Sequence, residues 1–167
     1  MYERILVPTD GSPEVDTVLE HATALAAAHD AELHALYVIN TAGYTGLPGD
    51  TAIGGLDAMM NEQGEAALDR AAEHAGDRLT ERVLLDGRPS AEIVDYADES
   101  DCDLIVMGTH GRGGIDRLLL GSVAERVVRT SEAPVLTVRV PKRSNVDDAD
   151  ADTDTDADAG ADADTDS

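Results

Sequence analysis

Five short aliphatic runs, each separated from the next by a stretch of helical spacing, leave this chain few folds to choose from. The runs cover residues 4–8, 32–39, 79–85, 104–107 and 134–140. After the first run, Val15, Val18, Leu19, Ala22, Leu25 and Ala26 recur at three- and four-residue intervals. That spacing puts one apolar stripe along a helix ending near His29. Strand then helix, repeated, argues for an α/β fold with a parallel sheet covered on both faces. The run Leu104-Ile-Val-Met107 has no polar alternation, as suits a strand buried on both sides.

Local punctuation supports the division. Ser12 can cap the first helix, Pro13 fits its first position, and Glu14 favours its positive end. Residues 40–55 are rich in Gly and Thr and contain Pro48, so they read as a long loop. Loops of that length are often functional. A second helix is expected over residues 56–76. Gly87-Arg88-Pro89 turns the chain into a third, with Ile93, Val94 and Ala97 on its apolar side. The fourth begins between Ile115 and Gly121 and runs to about Thr130.

Charge narrows the partners. The formal net charge is −23, and Lys142 is the only lysine. Residues 144–167 nearly alternate Asp with Ala or Thr and carry no Leu, Ile or aromatic residue. Such a segment cannot offset the entropy of ordering, so it is expected to be a disordered, solvating tail beyond a domain spanning 1–143. The body is acidic in its own right, without Phe or Trp. A Lys-poor, small-core, acidic composition suits high salt, where screening removes self-repulsion. No basic block is present to hold a nucleic acid backbone or an anionic membrane. Cys102 is the only cysteine and reads as a buried small residue rather than a catalytic thiol. No signal-like or spanning apolar run is seen, so a cytoplasmic location is expected.

The chemistry concentrates in Gly108-Thr-His-Gly111-Arg-Gly-Gly114 and in Leu120-Gly-Ser-Val123. Glycines directly after a buried strand allow a sharp turn and let a ligand approach the backbone. Successive N–H groups, with a helix starting near Gly121 and Ser122, make a cradle for phosphate. A tight turn and an ordinary cap are the plainer alternative. The lysine of a P-loop is missing, and the dinucleotide fingerprint does not follow the first strand. Asp10, ending that strand, could accept ribose hydroxyls or bond within its own Asp-Gly-Ser turn. Val38 ends the second strand, where an adenine ring could pack. Arg112 could screen phosphate, though a surface role is the simpler reading. His110 has no triad or metal spacing around it, and His21, His29, His34 and His74 read as solvated or capping residues.

These residues resemble the universal stress protein family, in its ATP-binding subset. The family's Gly-x2-Gly-x9-Gly-Ser/Thr pattern is matched by Gly108, Gly111, Gly121 and Ser122. Ile5-Leu-Val-Pro-Thr-Asp10 resembles its first strand, and Ala133-Pro-Val-Leu-Thr-Val138 its last. The resemblance covers residues 2–141 and implies an adenine nucleotide alpha hydrolase-like sheet of order 3-2-1-4-5. It implies ATP, with Mg²⁺, as the cofactor, and a homodimer paired through the last strand. With the acidic composition, it points to a halophilic archaeon as the source. By the same resemblance, Asp10 holds ribose, Val38 bonds adenine through its backbone, and Pro8 and Thr9 also belong to the nucleotide site. Met107 and Gly108 line the pocket. Gly111, Gly121, Ser122 and Val123 hold phosphate, with Thr109, His110, Arg112 and Gly113 beside them. No residue plainly orients a water, so at most weak ATP hydrolysis is expected. Three functions follow: a nucleotide-dependent stress regulator with a protein partner, a slow ATPase or nucleotidyl-transfer enzyme, and a nucleotide-free interaction module.

Overall fold

The computed structural model of the chain describes residues 1–41, 50–110 and 120–139. Loop residues 42–49, Gly111, Arg112, Gly113, Gly114, Val140 and the acidic tail lie outside the described residues. Strands β1 (Arg4–Thr9), β2 (Glu32–Asn40), β3 (Leu79–Gly87), β4 (Leu104–Gly108) and β5 (Val135–Val138) alternate with four helices. These are α1 (Val15–His29), α2 (Asp50–Ala75), α3 (Pro89–Glu99) and α4 (Ser122–Thr130). The strands form one parallel sheet of order β3-β2-β1-β4-β5, as expected.

Alternate strand residues face opposite layers. Ile5, Val7, Leu33, Ala35 and Val106 pack with Val18, Leu19, Ala22, Leu68 and Ala71 of α1 and α2. Leu6, Leu36, Ile105 and Met107 pack on the other face with Ile93, Ala97, Ala124 and Val127 of α3 and α4. With no Phe or Trp to fill space, small side chains let the helices sit close to the sheet. At Gly64 of α2 the approach is close: a Cβ there would stand 2.5 Å from Leu84 Cδ1 and 3.1 Å from Tyr37 Cδ1.

Four expectations need correction. Helix α1 starts at Val15, and Ser12 does not cap it. The Ser12 N–H is held by Asp10 Oδ1 at 3.0 Å, and the Ser12 carbonyl accepts the Val15 N–H at 3.1 Å. Residues 12–14 thus close a turn before the helix, and Pro13 belongs to that turn. Helix α2 begins at Asp50, so residues 50–55 of the expected loop are helical. Gly54 and Gly55 each cost about 1 kcal/mol against Ala, but extending an established helix needs only one residue fixed per hydrogen bond. The fourth helix starts at Ser122, just past the expected window. His34 is neither solvated nor capping. It is buried in mid-β2, with its Nδ1 2.9 Å from the Tyr96 hydroxyl of α3. Cys102 is buried, as expected, and burial pushes its thiol up to about 11.

Candidate functional site

A cavity of about 500 Å³ opens at the carboxyl ends of β1, β2 and β4. The strand order reverses there, because the chain leaves β1 toward β2 and later re-enters on β1's other side as β4. Helices α1 and α4 leave these strands for opposite faces of the sheet. A crevice opens between them.

Eleven of the expected site residues line this cavity. Pro8, Thr9 and Asp10 come from the end of β1, Val38 from β2, and Met107 and Gly108 from β4. Thr109 and His110 follow β4, and Gly121, Ser122 and Val123 open α4. Gly111, Arg112 and Gly113 lie outside the described residues. The sequence reading missed Ser12, Glu14, Val15, Val18, Leu36, Tyr37, Asn40, Pro89, Ile93 and Ala124, which complete the wall. Most come from α1, β2 and α3, far in sequence from the glycine motif.

The β1 turn is locally closed. Gly11, at φ 72°, bends the chain, and its N–H donates to Thr9 Oγ1 at 3.1 Å. Asp10 accepts the Ser12 N–H, so the turn reading of Asp10 holds while its carboxylate also borders the cavity. Opposite, Thr109 is held from both sides. Its N–H donates to the Val138 carbonyl at 2.9 Å, and its carbonyl accepts the Gly121 N–H at 2.8 Å. Those two bonds lock the start of α4 to the end of β5 through one residue.

Helix ends supply the electrostatics. No side chain caps α1 at Glu14, α3 at Arg88 or α4 at Gly121. The first N–H groups of a helix have no intrahelical partner and carry partial positive charge. All three starts border the one cavity, through Glu14, Pro89 and Ser122. The first two N–H groups of α1, however, donate to the Ser12 and Pro13 carbonyls at 3.1 and 3.4 Å, and Pro89 has no N–H. The start of α4 is thus the one best placed to offer N–H groups. Gly121 has φ −60° and ψ 151°, which any residue can adopt. What glycine supplies at that position is the absence of a Cβ beside the cavity. Leu36, Val38, Ile93 and Met107 form an apolar wall that suits a flat ring. Among the described residues, no cluster of three or more His, Cys, Asp or Glu could hold a metal ion on its own.

Residues 1–139 match the sequence profile of the Universal stress protein family. The chain belongs to the universal stress protein family. Universal stress protein MJ0531 of Methanocaldococcus jannaschii is 40% identical over 146 residues, covering 86% of this chain and 85% of that protein. The solved structure of MJ0577, from the same organism, superposes with a TM-score of 0.74 at 29% identity, covering 85% of this chain and 99% of that one. A universal stress protein crystallised in complex with cAMP is 30% identical, with a TM-score of 0.60, covering 83% and 97%. In this universal stress protein chain the matched segment takes in all five strands and stops before the acidic tail.

Proposed function

We propose that this universal stress protein binds an adenine nucleotide, ATP with Mg²⁺, in the cavity between β1 and β4 and acts as a nucleotide-dependent regulatory module of a stress response. One observation carries the reading: the start of α4, which follows Gly121 and has no side-chain cap, borders the same cavity as an apolar wall. Uncapped helix starts favour an anion, and the wall suits a nucleobase. A relative crystallised with cAMP supports a nucleotide in this family. Asp10 accepts ribose hydroxyls beside its own turn bond, Val38 takes adenine, and Gly121, Ser122 and Val123 take phosphate, with Gly111, Arg112 and Gly113 completing that loop. Mg²⁺ binds chiefly through nucleotide phosphates and one or two carboxylates, so it needs no protein cage. Asp10 and Glu14 are the carboxylates at hand.

The same reading extends to the whole chain. We take the domain to span 1–143, with the Asp-rich acidic segment 144–167 beyond it. The protein works in a salt-rich cytoplasm, that of a halophilic archaeon. Edge strand β5 leaves Leu136 exposed, and α4 leaves Val128 exposed nearby, which favours a homodimer through β5. A further protein partner reads the nucleotide state. Slow ATP hydrolysis remains the second reading.

Calorimetry with ATP and Mg²⁺ in molar KCl tests the site, comparing the native chain with Gly121→Val. The backbone at Gly121 tolerates Val, so the variant is expected to fold and to lose binding at least tenfold, on the order of 1.4 kcal/mol. Native protein that binds no nucleotide sinks the proposal and leaves a nucleotide-free interaction module.

A further inference from the structure

Along β2 the side chains alternate between the two layers. Leu33, Ala35 and Tyr37 pack with α1 and α2, whereas Leu36 and Val38 pack with α3 and α4. Asn40, the last residue of β2, has the parity of Leu36 and Val38. It is exposed and lines the cavity. Two residues advance a strand by about 6.6 Å. Asn40 therefore stands just past Val38 on the face of the apolar wall, where that wall gives way to a polar group.

The neighbour of Asn40 on β3 is Gly87, paired with it in register. Gly87 has φ 155°, and a Cβ there would collide with the Glu92 carboxylate of α3. The place of a β3 side chain beside Asn40 is thus taken by an acidic group. An Asn amide has two donors and two lone pairs, so the interaction Asn40 already makes within the protein does not exhaust it. A carboxylate on the β3 flank favours the amide NH2 on that side. Oδ1 is then left toward β1 and the cavity, on the other flank of β2.

From this placement, and resting on the nucleotide reading above, we propose that Asn40 reads the edge of the base, its Oδ1 accepting from an exocyclic amine. The site then prefers a 6-amino purine to a 6-oxo purine. An amide side chain is well matched to the 6-amine of adenine. A carbonyl at that edge would set acceptor against acceptor, with the Glu92 carboxylate opposing a flip of the amide. A polar group left without its partner is costly, which is what makes such a contact selective.

Calorimetry on the full chain, with Mg²⁺ in molar KCl, tests this with ATP and ITP. The two differ in the base only at position 6 and in the proton on N1. Native protein is compared with Asn40→Ala and Asn40→Asp, and thermal melts confirm folding, as expected for an exposed residue at a strand end. The readout is the ratio of the two Kd values, in which any change in phosphate binding cancels. Native protein should prefer ATP by about tenfold or more. Asn40→Ala should lose most of that preference. Asn40→Asp offers acceptors alone and should retain it. Equal native affinity for ATP and ITP, or an unchanged ratio in Asn40→Ala, overturns the role of Asn40 while leaving the nucleotide site standing. Loss of the preference in Asn40→Asp as well as in Asn40→Ala assigns the contact to the amide NH2 and overturns the Oδ1 acceptor. Native protein that binds neither nucleotide overturns both readings.

Discussion

The two ends of the sheet treat polar groups in opposite ways. At the amino end most of them answer one another, although Arg4 Nε is buried without a hydrogen bond. Asp103 accepts the Glu3 N–H at 2.7 Å and the Arg4 N–H at 3.4 Å, and its own N–H returns to the Arg4 carbonyl at 3.0 Å. The Arg4 guanidinium donates to the Ser100 carbonyl and pairs with Glu32 at 3.7 Å. The turns there close through Asp30 and Asp101 in left-handed backbone, a conformation Asp tolerates better than most residues. At the carboxyl end, three helix starts lack side-chain caps. One end is largely closed by its own bonds, and the other is the end at which we propose a ligand. Stability and binding should therefore respond to substitution at different ends.

The largest expected effect on stability lies at the amino end. Asp103→Ala removes an acceptor shared by two main-chain N–H groups next to β1. Hydrogen bonds to charged groups contribute about 1.5–3 kcal/mol each, and part-exposure trims that, so a loss of about 2–3 kcal/mol is expected. Denaturant melts in high salt measure it. Nucleotide affinity, taken well below the melting transition, should not change. A variant as stable as native, or one that binds ATP more weakly, breaks the division between the ends.

An intermediate effect is expected between the ends, at His34. Burial chiefly lowers its pKa, helped by Arg4 and opposed by Glu81 and Glu32. The folded state therefore takes up the proton less readily than the unfolded chain, whose value is near 6.5. The sign follows: stability is full above that value and is lost as pH falls below it toward the folded pKa. His34→Leu removes this slope and also the bond to Tyr96, at a cost of about 1–2 kcal/mol at neutral pH. Melts between pH 5 and pH 8 read both. A slope that persists in the variant assigns the acid sensitivity to some other group.

His34 also marks where the sequence stopped being informative. The strand–helix alternation could be read directly, and the α1 stripe was right: Val15, Val18, Leu19, Ala22 and Ala26 are buried. His34 was misread because a histidine between Leu33 and Ala35 looks like the polar face of a half-buried strand. β2 lies inside a parallel sheet, and both its faces are covered. That burial follows from the fold class itself, so the signal existed and was not used. The site divides the same way. The described residues of the β1 and β4 turns are adjacent to their motifs in sequence, and they line the cavity. Leu36, Pro89 and Ile93 reach the cavity only through the pairing of β2 with β1 and the packing of α3, which no local pattern records. Ser12 failed as a cap because the helix starts only at Val15, after a turn in which the Ser12 carbonyl accepts the Val15 N–H.

The smallest change in stability, with a large change in binding, is expected for Gly121→Asp. This position precedes α4, and no side chain caps the helix there. Asp is a better N-cap than Gly by only a few tenths of a kcal/mol, and its charge suits the helix dipole. The fold should therefore become slightly more stable, by roughly 0.3–1 kcal/mol. The same carboxylate would occupy the N–H groups offered to phosphate and repel the anion itself. ATP affinity should drop at least tenfold, on the order of 1.4 kcal/mol. A rise in melting temperature together with lost binding would mean that the open end is maintained for the ligand at the expense of stability. A fall in stability with binding intact would mean that Gly121 serves the backbone, and that the two ends differ in geometry rather than in purpose.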